Sequence, residues 1–183
     1  SIKIGKIPEH SFIYNLDEIP EFDYSLINLD DYNSRSLFFD GKNKINKKEI
    51  SIHTSRGCPF NCVFCASGKV HGKKVRYMSI ERVINDIENM IKNYKLTTLI
   101  IEDDHFLSNK KRAKEILKKL AKFNIRLEFP NGLAVAFIDE EIGIFLKEAG
   151  TTSIALAVES CSDHVLKNII NKPLKVDLIK PVV

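Results

Sequence analysis

Between Ile80 and Tyr94 the apolar residues Ile80, Val83, Ile84, Ile87, Met90, Ile91 and Tyr94 recur at intervals of three and four, which predicts a helix with one buried face. Ser79 stands before it as an N-cap. "TTLIIE" (97–102) follows as a short apolar, β-branched run and reads as a strand. The same alternation then repeats. A helix opened by Ser108 turns Ala113, Ile116, Leu117, Leu120 and Ala121 inward, and "IRLEFPNG" (125–132) is the next strand. A third helix beginning near Asp139 buries Ile142, Phe145, Leu146 and Ala149 and ends at Gly150, which suits a left-handed C′ residue. "TSIALAVES" (152–160) reads as a fourth run of strand, and a helix through Val165, Leu166, Ile169 and Ile170 reaches to Pro173.

The strands expected near 97, 125 and 153 start 28 residues apart, the length of one strand, one helix and two short loops. With "ISIHTS" (50–55) as the first strand, four βα units are visible. Regular alternation of this kind calls for parallel strands joined by right-handed crossovers, with functional groups gathered at the strands' C-terminal ends. The fold expected is α/β, a partial parallel (β/α) barrel of about four units. "LKVDLIKPVV" (174–183) starts another amphipathic segment with no strand after it, so the barrel reads as truncated at its C-terminus, with an edge that something else must cover. Residues 1–48 show no sustained period, carry Pro8 and Pro20, and read as a linker or wrapping segment ahead of a domain at 49–183.

Composition narrows the class. Across 183 residues, 44% are hydrophobic and 28% charged, enough for one sizeable core, and no apolar run is long enough to cross a membrane. No signal-peptide pattern opens the chain, so the cytoplasm is the expected compartment. The formal charge of +4 is modest and its lysines are scattered, except in "GKNKINKKE" (41–49), which reads as a solvated loop. Nothing in this pattern points to nucleic acid.

The chemistry concentrates in "RGCPFNCVFCAS" (56–67), which holds three of the four cysteines: Cys58, Cys62 and Cys65. Disulfides pair thiols in twos, so three clustered thiols and one distant one, Cys161, point elsewhere. Three readings compete. Structural zinc needs a fourth ligand from His53, His71 or Cys161, and no second CxxC-like knuckle exists to supply a pair. A redox pair of Cys62 and Cys65 leaves Cys58 without a role. An iron–sulfur cluster held by three thiolates leaves one iron open, and an open iron is a place for chemistry.

The CxxxCxxC spacing of "CPFNCVFC", with an aromatic residue before the last cysteine and a position after the first strand of a parallel βα series, resembles the signature of the radical S-adenosylmethionine (radical SAM) enzymes. The resemblance covers residues 50–183. It implies that Cys58, Cys62 and Cys65 ligate three irons of a 4Fe-4S cluster while the amine and carboxylate of SAM chelate the fourth. Reductive cleavage then gives methionine and a 5′-deoxyadenosyl radical, with electrons from a donor such as flavodoxin or ferredoxin. The protein's share is binding, orientation and exclusion of water and oxygen. Against the same template, Asp103 and Asp104 stand where many members carry Gly-Gly-Glu and contact the SAM amine; the alternative is that Asp104 or Ser108 caps the helix that follows. Glu159 and Ser160 would meet the ribose or carboxylate of SAM, with Cys161 where a glycine usually follows. Asn131 is a further candidate for SAM, or part of a turn. Phe64 would pack on the adenine or brace the loop. His53 and His105 read as structural histidines.

Within the superfamily, Asp-Asp-x-Phe at 103–106 and "LDEIPEFDYSLI" (16–27) resemble the group whose radical SAM domain follows a cobalamin-binding domain. That implies an interdomain linker at 1–48, cobalamin supplied by a domain absent from this chain, and a methyltransferase or another enzyme that functionalises C–H bonds. A glycine-rich SAM-contacting motif on a fifth strand is missing. Two rivals are a methylthiotransferase, which needs a second cluster domain, and a non-catalytic module in which the three cysteines and one histidine hold zinc.

Overall fold

The computed structural model describes residues 12–29 and 48–183; most of the lysine-rich stretch and part of the expected linker lie outside the described residues. Its elements run β1 (Glu49–Ile52), β2 (Ser55–Arg56), α1 (Ser67–Val70), β3 (Arg76–Tyr77), α2 (Ile80–Tyr94), β4 (Thr98–Ile101), α3 (Lys110–Leu120), β5 (Arg126–Glu128) and α4 (Glu140–Glu148). A parallel sheet in the order β1-β4-β5 forms the frame, with Glu49 opposite Thr98 and Thr98 opposite Arg126. The central strand is the most apolar: Leu99 and Ile101 are fully buried. The buried faces of α2 (Val83, Ile87, Met90), α3 (Ala113, Ile116, Leu117, Leu120) and α4 (Ile142, Leu146) join the sheet in one core, as the periodicity requires. Ser79 caps α2 by accepting from Arg82 N, Asp139 caps α4 by accepting from Ile142 N, and Gly150 follows α4 at φ +95°.

The chain departs from expectation in four places. "ISIHTS" is not one strand. After Ile52 the backbone leaves the sheet, because Asp103, just past β4, captures the Thr54 amide and both the Thr54 and Ser55 hydroxyls; β2 then pairs antiparallel with β3 and closes the cysteine loop. Neither Ser108 nor Asp104 caps α3. Phe106–Ser108 form a 3₁₀ turn, the Ser108 hydroxyl lies 3.0 Å from that of Tyr77, and Asn109 accepts from Arg112 N as the cap.

The fourth strand is reduced to two parallel bridges, Thr151 with Leu127 and Leu156 with Leu133. Its partner turns at Pro130 and Asn131 into Gly132 (φ +73°), so the pairing offset slips from 24 residues to 23 across the turn. A one-residue slip exchanges the faces of every side chain, and no continuous ladder survives it. Finally, the last expected helix is a π-helical turn at Val165–Ile169, and 174–183 contains only 3₁₀ turns. Leu166 and Leu174 there build a small second core with Val135.

Residues 12–29 pack along α2, and the Tyr24 hydroxyl reaches Ser51 O of β1 at 3.5 Å. Leu16 is 1% exposed, Arg82 donates to the carbonyls of Asp17 and Ile19, and Asp17 accepts from Ser79 N. Tyr24 adds an edge-on contact with Tyr94 at 5.5 Å.

Candidate functional site

The cysteine loop begins beyond β2 at Gly57, where only glycine fits: φ is +102°, and a Cβ would stand 2.7 Å from Lys74 O and 2.8 Å from Gly72 O. Cys58 N donates to Gly72 O at 3.1 Å, drawing the loop's two ends together. Farther along, Val63 N donates to Ile170 O and Asn171 to Asn61 O, so the loop also rests on the C-terminal segment. Arg76, buried at the start of β3, donates to His71 O at 2.5 Å and to Ile13 O at 2.6 Å. The loop is thus tied down at both ends and at its tip.

Cys58, Cys62 and Cys65 line one cavity of about 390 Å³ and form a wall of a second, about 280 Å³, at the C-terminal ends of the sheet strands. All three thiols are free, as is Cys161, which is exposed and lines neither cavity. Burial pushes the Cys58 and Cys62 thiols up, so a metal binding there would displace protons. Among the described residues no three His, Cys, Asp or Glu side chains are yet gathered to hold a metal ion. The donor set nonetheless fits an iron–sulfur centre in kind: three soft sulfur ligands line the same partly enclosed cavity. It fits zinc less well. His71 is committed to Asp104 at 2.7 Å and His53 leans on Glu102 at 3.8 Å.

The second cavity also gathers Phe64 from the cysteine loop, Asp104 from beyond β4, Asn131 from beyond β5 and Glu159 from beyond the Leu156 bridge. Phe64 is 58% exposed on its rim. Asn131 donates to Glu102 O at 2.9 Å, which orients its amide. Glu159 adopts φ +65°, a conformation costly for a residue with a Cβ, and its carboxylate pairs with Lys172 at 3.1 Å. Asp104 accepts from Gly57 N and His71 Nδ1; burial would raise its pKa, but hydrogen bonds from Ser67, His71 and Gly57 outweigh it and hold the carboxyl below the usual range.

Two candidates are not brought to the cavity. Asp103 is 3% exposed and turned to Thr54 and Ser55, while Arg112 donates to the Thr54 hydroxyl and carbonyl. Burial pushes its carboxyl up against the lowering effect of those hydrogen bonds. Ser160 lies outside the lining, its hydroxyl accepting from Ser162 N. Conversely, the cavity holds residues given no role by sequence: Phe60, Lys172 and His105. His105 is 5% exposed, with Phe137 edge-on at 4.6 Å, Phe60 at 5.2 Å, and no partner for Nε2 among the described residues. Burial, helped by the charge of Lys172, pulls its pKa down to about 4, so the ring is neutral. Its position after two aspartates carried no periodic signal, and only packing reveals it.

Comparison with known proteins agrees with this geometry. The family model described as the radical SAM superfamily matches residues 52–180. An uncharacterized methyltransferase of Pyrococcus horikoshii is 32% identical over 90% of this chain and 34% of its own length. The cytidylyl-2-hydroxyethylphosphonate methyltransferase of Streptomyces wedmorensis is 26% identical over 93% of this chain and 32% of its own. The chain therefore spans about a third of the length of these curated relatives. Among solved structures, the radical SAM methyltransferase TsrM of Kitasatospora setae, with cobalamin and a [4Fe-4S] cluster bound, superposes with a TM-score of 0.66 at 16% identity, covering 75% of this chain and 26% of that one. The cobalamin-dependent SAM radical enzyme OxsB, with SAM bound, gives 0.61 at 19% identity over 73% of this chain and 21% of that one. Cysteine spacing, its place at the mouth of a parallel sheet, and a family match over most of the chain agree: this chain belongs to the radical SAM superfamily.

Proposed function

We propose that this chain is the N-terminal part of the catalytic domain of a cobalamin-dependent radical SAM methyltransferase, with residues 1–48 as the linker from a cobalamin-binding domain and 49–183 as the cluster-bearing domain. The observation that carries the reading is three free thiols at CxxxCxxC spacing on one cavity wall beside the strand ends. The relatives named methyltransferases and the cobalamin-bound structural neighbour support the methyl-transfer and cobalamin assignments. When bound, the 4Fe-4S cluster supplies the electron that cleaves SAM reductively, drawn in turn from a carrier such as flavodoxin or ferredoxin.

The chain's own residues bind and orient. Cys58, Cys62 and Cys65 hold three irons, Phe64 shields the rim, and Asn131 and Glu159 offer polar contacts to SAM, with Lys172 keeping Glu159 in place. The aromatic cluster of Phe60, His105 and Phe137 closes one side to water. No helix among the described residues is long and apolar enough to cross a membrane, which suits a cytoplasmic enzyme.

Anaerobic reconstitution with iron and sulfide, followed by electron paramagnetic resonance of the reduced protein, tests the proposal. A reduced-cluster signal that shifts when SAM is added is the expected result, and Cys62→Ala should remove it while the helical circular dichroism persists. Retention of zinc with no cluster signal would overturn the assignment in favour of a structural module.

A further inference from the structure

The two aspartates that follow β4 have different partners, and those of Asp104 span the cysteine loop. The loop departs at Gly57 and returns at Arg76, so three thiols face one cavity only while its ends are held together. Backbone pairing does part of this, through Arg56 opposite Arg76 and Cys58 N on Gly72 O. Asp104 does the rest from outside the loop. Its Oδ2 accepts from Gly57 N at 3.1 Å, where the loop leaves, and from His71 Nδ1 at 2.7 Å, where it comes back. A carboxylate only accepts, so Nδ1 carries the proton. Between those points the Ser67 hydroxyl lies 3.3 Å from Cys65 Sγ. The carboxylate therefore ties the beginning of the loop to its return.

From this geometry we infer that Asp104 is a positioning residue: with His71 it clasps the cysteine loop shut and presents the three thiols to the cavity before any metal arrives, and it is not a ligand of SAM. The inference rests on the cluster-binding reading of the three cysteines. Both donors fall on Oδ2, so an ammonium group drawn to that oxygen would compete with the clasp. Asn131, Glu159, His105 and Lys172 remain as polar groups of the cavity wall that make no hydrogen bond to the loop.

Amide hydrogen exchange of the metal-free chain, resolved by mass spectrometry, tests the clasp without the cofactor. Asp104→Ala should speed exchange over residues 57–72 about tenfold, the loss of a charge-assisted hydrogen bond, with α2 and α3 unchanged. His71→Ala should act in the same direction; its side chain is 29% exposed, so it serves if the aspartate variant fails to fold. Unchanged exchange over 57–72 in a folded variant overturns the clasp. After reconstitution, both variants should bind fewer irons per chain, while whatever cluster forms keeps its spectral response to SAM. A full complement of iron with that response abolished in Asp104→Ala would return Asp104 to direct SAM binding and overturn the inference. Failure of the unaltered chain to take up a cluster would sink the functional reading instead, and the exchange result would still decide the clasp.

Discussion

The sheet with its helices and the cysteine loop are held by different forces. The first is an apolar core in which Val83, Ile87, Leu99, Leu117, Leu120 and Ile142 are completely shielded. The second turns Val63, Phe64 and Val70 outward and depends on polar ties at Gly57, His71 and Arg76. Burial of apolar area is non-directional and large, so the first region tolerates small shifts without losing its shape. Hydrogen bonds are directional and individually modest, so the second is placed accurately yet contributes little to stability. Stability lives in one region and the three clustered thiols in the other, joined at Asp103 and Asp104.

The sharpest way to break that division is at the joint. Asp103→Ala strands the Thr54 amide and two hydroxyls around a buried guanidinium, and should cost about 4 kcal/mol in chemical denaturation. A loss below about 1 kcal/mol would mean that the two regions are not joined there. Leu117→Ala, in the apolar region, should cost about 3 kcal/mol and leave the loop's exchange rates relative to the rest of the chain unchanged.

Acid probes the boundary between the regions. His105 has a folded pKa of about 4, below the unfolded value of 6.5, so the unfolded chain binds the extra proton first as pH falls. Stability is retained above pH 6.5 and declines between 6.5 and 4, by a total of about 3 kcal/mol; the slope should flatten in His105→Phe, measured as the difference between the two denaturation curves across that range. An equal slope in both proteins would place the titration elsewhere. The smallest effect belongs to the loop surface: Phe64→Ala should shift stability by no more than about 0.5 kcal/mol, and a larger drop in melting temperature would show the loop to be packed after all.

How much was legible follows the same division. Helical periodicity located α2, α3 and α4 and nearly all of their buried residues, because those positions are chosen by one dominant force. Cysteine spacing singled out the three thiols, which the structure places in the lining of the same cavities. The contacts of the loop were not legible. His71 meets Asp104 across 33 residues, and no local pattern records such a pairing. Asp103 and Asp104 look equivalent in sequence, yet the alternation of side chains past a strand end sends one into the protein and the other toward the cavity. The fourth strand was overread because its β-branched and apolar content was judged alone, whereas a strand also needs a straight partner, and Pro130-Asn131-Gly132 deprives it of one.

Arg76 has a mechanical meaning beyond its two hydrogen bonds. One guanidinium grips Ile13 O and His71 O together, with Phe12 beneath it at 4.8 Å. The segment at 12–29 and the neck of the cysteine loop therefore share a single rivet. Force or displacement applied upstream of Phe12 is delivered first to the mouth of the thiol-bearing loop, and only then to the helices.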